Sequence, residues 1–379
     1  MVVIAEGNRL KTLEGVEGCT GLECIDVTDN ELTSIESLGS NTNLTELLCS
    51  GNQLQSLSSL AGFIYLRKVV CDRNQLTDLN GPGLCPNLLV LSCSDNRISS
   101  LDTLASCTKL TTLICARNCI TALTKFAPYI KLTYLDCSSN MLENLVGLRS
   151  LPTLTYLNCS HNSLSSLEHI QGSVQIASLD CSHNEIVELL AVQKLFELRR
   201  FDCSHNRIES LEGLTTSLRI TELICNNNCI TTLTPLHEST SLRTLCISSN
   251  PLGQVDNDTG FYKLELLDIS DCGLTSVTGL RAQHLKILTC SLNKLETIDW
   301  IKAFPQLHHL DCTSNRLPDL RGIEACPDLR TLKVGRNPLV TIAHILLLYK
   351  LNSIDRLPIE LWDESVELSQ YRGLMCTRM

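Results

Sequence analysis

Asparagine recurs twelve times from Asn8 to Asn250 at unbroken steps of 22 residues. Cys272 takes the next slot, Asn293 follows after 21 residues, and Asn315 and Asn337 restore the step of 22. Around each slot the chain reads L-x-x-L-x-C-S-x-N-x-L-x-x-L, as in Leu132–Leu145 and Leu154–Leu167. A strict period of this length excludes most folds. Each repeat can hide only one face by itself, so a core exists only when successive copies stack as rungs of a coil. Sixteen slots, uninterrupted by a linker or a charge run, imply one repeat domain over residues 1–339 and a small C-terminal cap over 340–379.

The segment L-x-x-L-x-C is short and extended. Stacked copies make a parallel sheet with strands about 4.8 Å apart. Leu135, Cys137, Asn140 and Leu142 then point inward in one rung, with equivalents 22 residues above and below. The inward Asn is the costly member, since an unpaired buried amide is unfavourable by about 1–3 kcal/mol. A continuous column removes that cost if each side chain bonds backbone groups of its own and the adjacent turn. Cys272 breaks the column and the single-residue deletion before Asn293 follows it, so a local irregularity is expected between Pro251 and Leu292.

The chain carries 21 cysteines. Cys49, Cys71, Cys93, Cys115, Cys137, Cys159, Cys181, Cys203 and Cys225 fill nine successive copies of one slot, which Cys290 and Cys312 fill again. Val27, Ile247, Ile269 and Val334 occupy the same slot elsewhere. A position that accepts Val and Ile is an apolar core position, where Cys packs as a small hydrophobe. Neighbouring rungs also hold their Cβ atoms near the strand spacing, beyond the usual disulfide separation of about 3.8 Å. No C-x-x-C occurs, so zinc-ribbon and thioredoxin-type chemistry lack their motif. An odd number of mostly unpaired thiols points to a reducing compartment. Cytoplasm is the expected location, with the nucleus as the other reducing choice.

This arrangement resembles the leucine-rich-repeat family, in its 22-residue class, which includes the SDS22-like regulatory subunits of protein phosphatase 1 and the bacterial internalins. The resemblance covers about residues 3–345. It implies an α/β solenoid: an arc of about 16 repeats, with a parallel concave β-sheet and short 3₁₀ or extended convex turns. Second halves such as Leu145-Val146-Gly147-Leu148 are too short for a full helix.

Chemistry is sparse. No phosphate-binding loop, nucleophile elbow or kinase signature occurs. His237-Glu238 lacks the second His of a zincin, and Asp256-Asn257-Asp258 lacks the later ligands of a calcium loop. No catalytic residue, metal site or cofactor is assigned, and the chain is read as a non-enzyme. Asp plus Glu outnumber Lys plus Arg by 41 to 31, which argues against a general polyanion binder, so no nucleic acid is expected. No run of about 18 apolar residues spans a membrane, and Met1–Ala5 lacks the features of a signal peptide.

What remains is the sheet face. Between inward positions, one column reads Asp136, Asn158, Asp180 and Asp202; two places earlier stand Tyr134 and Tyr156; the column before the Asn ladder holds His161, His183 and His205. These nine residues are the candidate partner-binding patch. Tyr supplies contact area at modest entropic cost, and the acidic column suits a basic partner. Two other readings remain open: a solvated face made repetitive by duplication, and metal coordination by the histidines. If the imidazoles face a partner, their charging near pH ~6.5 makes binding pH-sensitive. The SDS22-like subunits dock their phosphatase through acidic and aromatic concave residues, so the resemblance implies the phosphatase-1 catalytic subunit as a partner. An unrelated cytoskeletal, ciliary or complex-assembly scaffold and an internalin-like surface adhesin are the alternatives. A smaller basic group, Lys68, Arg73 and Arg117, is expected to be offset by Asp72 and Asp95. The array begins at once with Val3, Ala5 and Asn8, so its open first edge invites self-association. Ile342, Ile345, Leu346 and Tyr349 have helical spacing and suggest a helix in the cap.

Overall fold

The computed structural model describes residues 1–124, 131–255 and 259–341. Within these, sixteen short strands lie parallel in the order of the chain, one per repeat, and their register advances by whole repeats: Leu113 pairs with Leu135, and Leu135 with Leu157. Parallel pairing needs a crossover between strands. Here it is a tight 3₁₀ segment or an extended turn, such as Glu36–Ser40, Val146–Ser150 or Leu190–Lys194. Close stacking of these segments limits what fits. A Cβ on Gly147 would overlap the carbonyl of Leu123 one rung earlier, so only glycine is accommodated there. The expected fold class is therefore present: a leucine-rich-repeat solenoid with one parallel sheet and short crossover turns.

Packing divides the chain into two compact units, Met1–Thr244 and Leu245–Met379. The first holds the strands from Val2–Ile4 to Glu222–Ile224. The second holds Leu266–Asp268, Ile287–Thr289, His309–Asp311 and Thr331–Lys333. The helix expected at 342–349, and all of the proposed cap beyond Thr341, lie outside the described residues.

In the core, Leu135, Cys137 and Leu142 are fully buried, as are their equivalents along the array. The Asn column satisfies itself through the backbone. Asn140 Nδ2 reaches the carbonyls of Cys115 (3.0 Å), Cys137 (3.1 Å) and Ser138 (3.1 Å), while its Oδ1 accepts from the Ile120 amide at 3.0 Å. The same four bonds recur at Asn162, Asn184 and Asn206. All twenty described cysteines are free. Burial pushes the Cys49 thiol up to about 12 and raises the Cys137 and Cys181 thiols as well, which leaves these thiols neutral and poorly reactive.

A second column explains several cysteines that the main one does not. Cys85, Cys107 and Cys326 are buried under the crossover turns, in a slot shared with Asn41, Phe63, Ser173 and Phe304. There Cys85 Sγ donates to the Leu60 carbonyl at 3.2 Å and Cys107 Sγ to the Pro82 carbonyl at 3.3 Å.

The irregularity expected near Cys272 takes a specific form. Cys272 Sγ lies within reach of the carbonyls of Ile247 (3.4 Å) and Ser270 (3.3 Å), so its single, weak S–H replaces one of the donations an amide would make. It offers no equivalent of the amide oxygen. The Leu252 amide, which would seek that oxygen, turns back to the Asn250 carbonyl, and Gly253 N–H bonds the Cys272 carbonyl instead. Asn293 then serves two amides at once, accepting from Cys272 (3.0 Å) and Leu274 (2.9 Å). On the crossover side the 3₁₀ turn gives way to a two-residue strand pair, Thr259–Gly260 with Leu280–Arg281.

Candidate functional site

Strand alternation decides which side chains reach the open face of the sheet. In the strand Tyr134–Asp136, Leu135 is buried while Tyr134 and Asp136 are half-buried on the other side. The next rung repeats this with Tyr156 and Asn158. Whole-repeat register sets like residues over one another, and Tyr134 and Tyr156 stack with ring centroids 4.1 Å apart and planes 3° apart. Burial, then the Tyr134 side chain, raises the Tyr156 hydroxyl above its ordinary value.

The acidic column is anchored from beneath. Asp136 Oδ1 accepts from the Ser138 amide (3.0 Å) and hydroxyl (2.7 Å), and Asn158, Asp180 and Asp202 do the same with Ser160, Ser182 and Ser204. These bonds fix one oxygen of each carboxylate inward. Burial, and secondly Asp202 on the next rung, raises the Asp180 carboxyl above the ordinary carboxylate range, against the Ser182 bonds that lower it. Other charges on the array find partners: Arg200 with Glu222 at 3.1 Å, Lys68 with Glu46 at 3.9 Å and Arg117 with Asp95 at 3.4 Å. Among the described residues no salt bridge joins Asp136, Asp180 or Asp202 to a cation.

His161, His183 and His205 also stack, with centroids 4.0 Å apart and planes 10° apart at each step. Nearly parallel rings present their nitrogens alike and do not converge on a common centre. Among the described residues no group of three His, Cys, Asp or Glu side chains could hold a metal ion. The histidines share an unusual backbone: each has φ 53°, in the left-handed region. So does every equivalent residue before the Asn column, including Gly7 and Gly51, with φ near 52–70°. The column thus turns the chain sharply out of each strand, and Asn, Asp and His tolerate that conformation better than most side chains. Sequence reading missed this constraint. Its signal is the glycine at two of the sixteen positions and the polar bias at most others.

One charge assignment needs correction. Arg73 pairs not with Asp72 but with Asp29 at 3.0 Å, two rungs away, reaching across Gly51. A Cβ at Gly51 would overlap Asp29 Oδ1, so the missing side chain makes room for the pair. Asp72 is occupied by Ser92 Oγ (2.7 Å) and the Ser94 amide (2.6 Å).

The geometry therefore brings Tyr134, Tyr156, Asp136, Asn158, Asp180 and Asp202 onto four neighbouring rungs of one sheet face, with His161, His183 and His205 stacked in the turns that leave three of those strands. A stacked repeat with a ladder of amides beneath such a face defines a class, and the chain has the fold of the leucine-rich-repeat solenoids. Residues 86–128 match the family model for leucine-rich repeats, in two copies. Among solved structures, the functional domain of InlJ from Listeria monocytogenes, which includes a cysteine ladder, is similar at 28% identity and TM-score 0.75, over 88% of this chain and 73% of that one. A leucine-rich-repeat protein of Leptospira interrogans is similar at 21% identity and TM-score 0.74, over 91% and 98% of the two chains. An internalin of Listeria monocytogenes, InlF, shares the fold at 18% identity and TM-score 0.66, over 86% and 84%. No curated protein sequence matches the chain.

Proposed function

We propose that the chain is a non-catalytic interaction scaffold that docks another protein on the open face of its sheet, centred on Tyr134, Tyr156, Asp136, Asn158, Asp180 and Asp202, with His161, His183 and His205 on the flank. The observation that carries this reading is the acidic column. Its carboxylates are held in place by serine hydroxyls yet, among the described residues, form no salt bridge with Lys or Arg, beside a preformed aromatic stack. Rigid aromatic area next to unneutralised charge lowers the ordering cost of a basic partner and steers its approach. Phosphatase-1 regulation is the narrower version, supported by the match of acidic and aromatic residue types. A reducing cytoplasmic location is part of the proposal, supported by twenty free thiols.

The second reading is an internalin-like adhesin, favoured by the likeness to InlJ and its cysteine ladder. Fractionation separates the two by compartment. The functional test is affinity capture with the intact chain and with a Tyr134→Ala, Tyr156→Ala, Asp180→Asn variant of unchanged melting temperature. Loss of the captured partner from the variant is the expected result. Equal recovery would place the interface elsewhere.

A further inference from the structure

The same rungs carry a second feature at the edge where the chain turns into each strand. Val174, Phe196 and Leu218 are successive copies of one slot and stand 41%, 56% and 51% exposed. Three large apolar side chains on adjacent rungs form a ladder that water must solvate. Single exposed apolar residues are ordinary, whereas a contiguous row on a folded protein marks an interaction surface. Val174 and Phe196 border a recess floored by Thr155, Ala177 and Arg199. Those three residues immediately precede Tyr156, Ser178 and Arg200, the first open-face positions of their strands. The floor of the recess therefore lies one residue before the candidate docking face on each of these strands. Of the two charges that line it, Glu197 pairs with Arg219, while Arg199 joins no salt bridge among the described residues and stands at the end of the recess nearer the strands. Net negative charge rises only farther across the strands, at Asp180 and Asp202.

We infer that these rungs form a two-part dock for one amphipathic basic segment of a partner protein, its apolar side chains seated on Val174, Phe196 and Leu218 and its Lys or Arg side chains directed to Asp136, Asp180 and Asp202. The inference rests on the open-face reading and adds to it an apolar anchor and a partner chemistry. Dimensions agree. Successive rungs are about 4.8 Å apart, close to the 5–6 Å between side chains three or four residues apart on a helix, so three apolar residues on one helix face can meet three rungs. An acidic or purely polar segment would leave either the carboxylates or the apolar ladder unmatched.

The test uses the full chain and three fluorescein-labelled synthetic peptides read by anisotropy: an amphipathic Leu–Lys helix, a Ser–Lys peptide of the same charge and a Leu–Glu amphipathic helix. The Leu–Lys peptide should bind most tightly. Phe196→Ser should weaken it about tenfold at every salt concentration, as expected for loss of one central apolar anchor. Asp180→Asn with Asp202→Asn should weaken it about as much and flatten its salt dependence. Glu168→Gln, exposed on the crossover side, should change nothing. Equal binding of the Ser–Lys or Leu–Glu peptide overturns the inference, as does no binding of the Leu–Lys peptide. If the Asp variants weaken binding and Phe196→Ser does not, the apolar anchor is refuted while the open-face reading stands. If Phe196→Ser acts and the Asp variants do not, the basic half is refuted and the acidic column loses its role in both readings.

Discussion

Replacing Asn184 by Ala tests the interior on which every surface column depends. Its side chain is buried and makes four contacts: Nδ2 to the carbonyls of Cys159 (3.1 Å), Cys181 (3.0 Å) and Ser182 (3.1 Å), and Oδ1 from the Leu164 amide at 2.9 Å. Their loss is unequal. The Cys159 carbonyl keeps Asn162 as a donor, the Cys181 carbonyl keeps Asn206, and the Ser182 carbonyl keeps the His161 amide. Only the Leu164 N–H is orphaned in the core. An orphaned buried amide costs roughly 1–3 kcal/mol, and weakened bonds at the three carbonyls add about 0.5 kcal/mol each, so the substitution should cost roughly 2.5–4.5 kcal/mol. Repeat arrays need not unfold in one step, so the readout must be local. Hydrogen exchange at the Leu164 amide should accelerate about 100-fold while amides four or more rungs away keep their protection. Cys181→Val, placing in the column a residue already present at Val27 and Val334, should cost under about 1 kcal/mol. A loss below about 1 kcal/mol for Asn184→Ala would refute the claim that the amide column, not packing alone, holds the rungs.

Three further outcomes follow from the same geometry. Leu292 is 58% exposed at φ 56°, so Leu292→Gly should raise stability by about 0.5–1 kcal/mol, read as a higher melting temperature; no gain would mean the left-handed site carries no strain. Gly51→Ala should lower stability by about 1–2 kcal/mol, because it combines strain at φ 65° with displacement of Asp29 from Arg73, and a double-mutant cycle with Asp29→Ala should show the coupling. The buried thiols should make the fold alkali-sensitive. Their folded pKa values are raised, reaching about 12 at Cys49, whereas an unfolded thiol ionises near 8.5. This contribution is therefore complete below pH ~8.5 and declines above it by about 1.4 kcal/mol per pH unit for each thiol in the unfolding unit. Urea midpoints between pH 8 and 10 should fall, and Cys159→Val with Cys181→Val should flatten the slope.

The rung, its period and its three interior columns were legible because burial repeats every 22 residues and tolerates few residue types. Val27 and Ile247 standing in for Cys identified an apolar slot before any coordinate did. The left-handed column was hidden because His161, Arg73 and Leu292 differ in every property except the backbone angle they adopt. Asp29 and Arg73 escaped notice because their contact skips a rung, and only the absent side chain of Gly51 permits it. Val174, Phe196 and Leu218 escaped because they lie outside the strands, in turns where alternation no longer assigns a face. The Tyr, Asp and His columns were legible as neighbours, since whole-repeat register stacks like on like. Their stacking distances and the serine bonds beneath the carboxylates needed side-chain geometry.

The central claim, that a partner sits on the open sheet face, is tested most directly by photocrosslinking from two positions in the intact chain. One carries the photoreactive residue at Ser178, between Tyr156 and Arg200 on that face, and the other at Val146 on a crossover turn. Irradiation in cells should yield a discrete adduct from Ser178 that disappears when Tyr134 and Tyr156 are replaced by Ala, and none from Val146. Adducts from Val146 alone, or a Ser178 adduct indifferent to the tyrosines, would contradict the account.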